Sequence, residues 1–152
     1  MTHRAQQIVD AMKAELIANT AISWNVYRQR IDGLDVTQME LPALSLVFGI
    51  DQPFNPLGAS NLSFLDSLLE VQIVAVAETG PDETAIIDQL LEMRRQIHIS
   101  LMADRSQGLA FVIDTRYGGA DAPVLNNDAD RVSGSIKCLW HVHYRMNISD
   151  PS

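Results

Sequence analysis

Residues 132–147 read VSGSIKCLWHVHYRMN, and this stretch decides the fold. Ile136, Cys138, Trp140, Val142, Tyr144 and Met146 fall on one face of an extended chain. Lys137, Leu139, His141, His143 and Arg145 fall on the other. A period of two is the signature of a strand with one buried face. The eleven residues from 136 to 146 alone would span roughly 36 Å, beyond the usual strand length. A strand this long and this one-sided predicts a sheet with one covered face.

The reading extends outward from there. Residues 118–130 (GGADAPVLNNDAD) read as a long, turn-rich loop, and residues 109–117 (LAFVIDTRY) as a strand. Residues 83–102 form a helix with Ile86, Leu90, Met93, Ile97 and Leu101 on one stripe. Asp82 is its expected N-cap, and Arg94 and Arg95 complement the dipole in its second half. From Leu69 to Glu78 the chain alternates again, with Leu69, Val71, Ile73, Ala75 and Ala77 on the core face. The opposite face turns apolar at Val74 and Val76, which predicts partial cover there too. Residues 51–63 (DQPFNPLGASNLS) read as a loop of about thirteen residues, long for a hairpin connection. It carries Phe54 and Leu57, which a purely solvated loop does not need. Residues 41–50 read as a strand with Pro42 at its start or on an edge. Residues 23–31 read as a strand ended by Asp32-Gly33, and residues 3–18 as an amphipathic helix with Thr2 as N-cap and Asn19-Thr20 as stop.

The order is αβββαββ. Two helices and about five strands predict a single α+β domain over residues 1–152, with a mixed, mostly antiparallel sheet and both helices packed on one face. The other face is left partly solvated or free for a partner. The length of 152 residues suits one domain with a sizeable core, and 47% apolar with 20% charged residues argues against disorder. A net charge of −8, from 19 acidic and 11 basic residues, does not suit a chain that grips nucleic acid through clustered Lys and Arg. The lone Cys138 excludes an internal disulfide and a zinc site built on two cysteines of one chain. No signal-peptide pattern and no membrane-length apolar run is visible, so the expected setting is soluble and cytoplasmic.

Few residues suit enzyme chemistry. His141 and His143 point the same way on a strand and could share a cation, with Asp114 or Glu70 as a third ligand if their strands are neighbours. The plainer reading puts both on a polar face beside Lys137 and Arg145. Cys138 lies on the core face, where a thiol is usually inert. No G-x-S-x-G frame marks a nucleophile, and Gly118-Gly119 lacks a phosphate-cradle spacing. Asp121, Asp128 and Asp130 lack the EF-hand pattern and read as a solvated turn. Arg94-Arg95 could be read as an anion site, although a basic second half is ordinary helix design. No cofactor, metal or catalytic residue is expected. Two long loops, one over-long strand and too few helices to cover a sheet suit a protein that assembles with others.

Several pieces of the chain, in order, carry a family resemblance. They are His3-Arg4 leading into Ile8-Val9-Asp10-Ala11-Met12, Val26-Tyr27 with Arg30, and Leu41-Pro42-Ala43-Leu44-Ser45-Leu46. There follow a long polar loop and Leu69-Glu70-Val71-Gln72-Ile73. The ending Asp128-Ala129-Asp130-Arg131 leads into a long strand closing on Tyr144-Arg145. With these pieces the chain resembles the tail terminator proteins of long-tailed bacteriophages, the minor tail protein U or tail completion family. The resemblance implies an α+β fold and a six-membered ring on the head-proximal end of the tail tube, assembled in the host cytoplasm. That ring would end tube growth, face the tube protein and the head completion proteins, and let DNA pass without specific binding. Head–tail connector and tube-like subunits of the same fold are the alternative, and a small metal-binding enzyme using His141 and His143 is a more distant one. On this reading Asp51, Gln52, Phe54, Asn55 and Leu57 form a loop at the subunit contact. Asp121, Asp128, Asp130 and Arg131 lie in a loop facing tube or head. A pore lined by Arg28, Arg30 and Arg116 would contradict free passage of DNA.

Overall fold

The structure is a computed structural model, and it describes residues 2–19, 25–28, 41–54, 63–79, 83–128 and 131–152. The elements run α1 (Arg4–Ala18), β1 (Val26–Arg28), β2 (Ala43–Pro53), β3 (Phe64–Thr79), α2 (Glu83–Ala103), β4 (Val112–Ala120), β5 (Val124–Asp128) and β6 (Arg131–Asn147). They make an α+β fold with a mixed, mostly antiparallel sheet of order β1-β2-β3-β6-β4, with β5 also on β6. Among the described residues only the β1–β2 pair is parallel. Both helices lie on one face, as the one-sided alternation requires.

The spine is the antiparallel pair of β3 and β6, in register from Phe64 opposite Asn147 to Thr79 opposite Val132. Sixteen facing pairs give a ribbon about 50 Å long. Its core-side pairs are Leu69–Val142, Val71–Trp140, Ile73–Cys138 and Ala75–Ile136, and all eight residues are buried. Where the pairs shrink to Ala77–Gly134, α2 comes down close: a Cβ on Gly134 would sit 3.0 Å from Leu90 Cδ1 and 3.2 Å from Ile86 Cγ1. The full α2 stripe of Ile86, Leu90, Met93, Ile97 and Leu101 is buried on this surface. Helix α1 adds Ile8, Val9, Met12 and Leu16 to the same core. It is tied to α2 by Asn19, whose amide donates to Ser100 Oγ at 2.7 Å, and to β1 by the Arg28–Asp10 ion pair at 2.6 Å.

Four local expectations change. His3, not Thr2, caps α1: its Nδ1 accepts from the Ala5 N–H at 3.1 Å. Residues 51–53 extend β2 rather than opening a loop, with Gln52 opposite Leu68 and Pro53 opposite Ser67. Turns over residues 105–111 delay β4 until Val112. Finally, the stretch 118–130 is not one loop. Gly118 and Gly119 stay in β4 at a bulge, three residues break the strand, and β5 continues along the same edge of β6. Asp128 faces Arg131. Asp82, the expected cap of α2, lies outside the described residues, as does most of the strand expected over residues 23–31.

Replacing Gly134 by Val would raise β-propensity at an open strand position. Here the side chain meets Leu90, Ile86 and Leu125, so the expected outcome is a loss of about 1–3 kcal/mol by overpacking, read as a lower urea midpoint. An unchanged midpoint would mean that α2 does not sit this close.

Candidate functional site

The helix-free face of the sheet carries the polar side chains of β3, β6 and β4. At its centre Glu70 faces His141 across the ribbon. Each leans outward over a glycine. A Cβ on Gly49 would lie 2.6 Å from Glu70 Oε1, and one on Gly118 would lie 2.7 Å from His141 Cε1. Both glycines therefore serve as floor for a larger neighbour, which gives this row a low profile. The adjoining groove of about 310 Å³ is lined by Glu70, Gln72, Asp121, Lys137 and Leu139, with residues 118–120 as its wall.

Toward the end of the ribbon the charges pair among themselves. Asp66 accepts from Arg145 Nε at 2.7 Å and lies 3.3 Å from His143 Nε2. The Arg145 hydrogen bond holds the Asp66 pKa below its ordinary value against partial desolvation. Asp114 accepts from both Arg105 and Arg116 at 2.7 Å. Burial works against its ionisation, but the hydrogen bonds from Arg116 and Arg105 outweigh it and lower its pKa. Tyr144 is fully buried and donates to Asp51 at 2.7 Å; burial first, then Asp51, pushes its hydroxyl pKa up.

The same end is apolar. Ile50, Phe54, Phe64 and Ile148 are 65%, 51%, 54% and 62% exposed. Phe54, Phe64 and Ile148 lie beside the end of the ribbon where Phe64 faces Asn147 and form a rim, while Ile50 lies farther along β2, across from Glu70. Phe54 is partly anchored, since its ring stacks on His143 with centroids 4.3 Å apart.

The two groups of sequence-predicted residues are thus separated. Phe54 lies at the rim, with Gln52 and Asp51 behind it along β2 opposite Leu68 and Leu69, while Asp128 faces Arg131 at the opposite end of the ribbon. Asp121 sits between β4 and β5, its N–H on the Lys137 carbonyl and its carboxylate 3.9 Å from Lys137 Nζ. Asn55, Leu57 and Asp130 lie outside the described residues. Arg28 and Arg116 are both held in ion pairs, and Arg30 is outside the described residues. The strands of His141 and His143 do neighbour Glu70 and Asp114. Yet His141 lies over Gly118, His143 lies between Phe54 and Asp66, and Asp114 is taken by two arginines. Among the described residues no three His, Cys, Asp or Glu side chains gather to hold a metal. Cys138 is buried, and burial pushes its thiol up to about 11. The sequence reading missed the Asp66–Arg145 and Asp114–Arg105 pairs; the alternation placed Arg145 on this face, but nothing local supplied its partner.

No protein-family model matches the chain, and no curated protein sequence matches it. Among the described residues no helix is long and apolar enough to cross a membrane.

The folded state binds ionised Asp114 preferentially, so its contribution is complete above the ordinary carboxylate pKa and is lost as pH falls through the lowered folded value. Arg105 and Arg116 are more than half exposed, and water screens the cluster. Asp114→Asn is therefore expected to cost about 1 kcal/mol at neutral pH. The gap to wild type should close as pH is taken from about 5 to about 2, measured by urea unfolding. A gap independent of pH would contradict the ion-pair account.

Proposed function

We propose that this chain is a structural assembly subunit of the tail-terminator kind. It would form a closed ring, a hexamer by the resemblance, that caps the head-proximal end of a phage tail tube. The observation that carries this reading is the rim of Phe54, Phe64 and Ile148 at one end of an over-long ribbon. Large apolar side chains gathered on a surface mark a contact with another macromolecule. A ring needs a heterologous contact that closes on itself, and a rim at one end of an elongated sheet suits one. In this role the tube protein and the head completion proteins are the axial partners, and the ring resides in the virion. The net charge of −8 favours passage of DNA without adhesion, since like charge keeps phosphates from settling. A connector or tube-like subunit of the same fold would share the rim but stack openly.

Electron microscopy of the concentrated, purified chain separates these readings. Closed rings of one size support the terminator role, open stacks favour the tube-like alternative, and a chain that never assembles counts against both. Phe54→Ala should weaken ring formation, read as a several-fold rise in the concentration needed. Phe54 is half exposed and its main contact is one stacked ring, so monomer stability should fall by no more than about 1 kcal/mol. Unfolding of the monomer by this change would show that Phe54 belongs to the core.

A further inference from the structure

One imidazole near the ribbon end touches both a carboxylate and an exposed aromatic ring. His143 stands on the helix-free face of β6 with its side chain 15% exposed. Its Nε2 lies 3.3 Å from Asp66 Oδ2, and the Phe54 ring stacks on it with centroids 4.3 Å and planes 25° apart. Asp66 is fixed in turn by Arg145, whose Nε and Nη2 donate at 2.7 and 3.1 Å. Those bonds keep Asp66 a carboxylate throughout the range in which imidazoles titrate. Phe54 is tied by its backbone, its N–H donating to the Asp66 carbonyl at 2.8 Å. Its ring is half exposed and rests on His143, so it can swing off without unpairing the strand. The wider charges around His143 balance. From β3, Asp66 is matched by Arg145, and Glu70 accepts from Gln72. From β4, Asp114 comes opposite His143 and is matched by Arg105 and Arg116. On β6 itself, His141 lies over Gly118, and on β2 Asp51 is bonded to Tyr144 on the covered side. Protonation of His143 is therefore felt chiefly at its two direct contacts.

A neutral imidazole holds a phenyl ring by dispersion and burial. An imidazolium adds cation–π attraction to the stack and makes the hydrogen bond to Asp66 charge-assisted. We infer that His143 and Phe54 form a proton-operated latch: a proton on His143 seats the Phe54 ring, and its loss lets the ring swing out into solvent. The sign follows from linkage. The seated ring favours the charged imidazole, so seating is firm at low pH and weakens as pH rises through the imidazole range, about 5 to 8. A cation–π contact at a partly exposed site corresponds to roughly a two- to five-fold change in the ratio of seated to released ring. The device belongs to a single copy of the chain and is independent of the ring reading.

The test is nuclear magnetic resonance of the full chain, with its aromatic rings labelled, over a range of about pH 5 to 8. The Phe54 ring resonances should move with the midpoint of His143, and the cross-relaxation between the two rings should fade as pH rises. Linkage is reciprocal, so Phe54→Leu should lower the His143 midpoint by up to about 0.7 unit, the five-fold change expressed as pH. The midpoint of His98, in α2 on the other side of the sheet, should stay where it is and serves as the control for an intact fold. His143→Gln should leave the Phe54 resonances without pH dependence and the far-ultraviolet circular dichroism unchanged. Phe54 resonances that ignore the His143 titration would overturn the inference. A His143 midpoint unchanged or raised by Phe54→Leu would overturn it as well, because the phenyl ring would then act on His143 only by shielding it from water.

Discussion

The register between β3 and β6 is the constraint on which everything else in this molecule depends. Sixteen residues of β3 face sixteen of β6 without a break. Because side chains alternate, a slip of one residue would turn Trp140, Val142 and Tyr144 outward and bring Lys137, His141 and Arg145 into the core. The register also shapes the seat of α2. It sets Ala77 opposite Gly134 where Ile86 and Leu90 press down, and Val71 opposite Trp140 where His98 and Tyr117 gather at ring separations of 5.3–5.5 Å. The outer strands take what the pair leaves: β2 the free edge of β3, and β4 and β5 in succession the free edge of β6.

That register also decides the chemistry of the uncovered face. Glu70 meets His141, Asp66 meets Arg145, and Asp114 comes opposite His143 beside Arg116. Most of these charges are matched within a few ångströms, so the face is polar without projecting a strong field. On the covered side the register brings Asp51 opposite Leu69, where the buried Tyr144 donates its hydroxyl to it.

The parts legible in the sequence were those where burial is periodic. The stripe of α2, the stripe of α1 and both faces of β6 repeat often enough that each residue supports the next. What was not legible depended on a distant partner. Asn126, Asn127 and Asp128 are poor strand formers by themselves, and they are extended because the edge of β6 is open beside them. Gly118 and Gly119 signal a turn in isolation. In the fold Gly119 adopts φ 108° at a bulge, and Gly118 clears space for His141. The candidate site divides in the same way. Phe54 stood out as an apolar residue in a polar segment, and it is exposed. The rim it joins could not be read locally, because Phe64 opens β3 and Ile148 follows β6, far away in the sequence.

The rim itself follows from a mismatch of lengths. An α-helix rises 1.5 Å per residue, so the 21 residues of α2 cover about 32 Å. The ribbon beneath runs about 50 Å. From Gly134, under Leu90, α2 runs along β6 toward Trp140, beside His98. It is too short to shelter both ends of the ribbon. Among the described residues, the start of α1 covers the end of β6, with Arg4 donating to the carbonyls of Arg145 and Ser152 and lying 4.9 Å over Phe111. Those bonds fasten the backbone there, but they leave Phe54, Phe64 and Ile148 half or more exposed. Among the described residues, a ribbon of sixteen pairs outruns the helices packed on it, and its end is left as an exposed apolar surface.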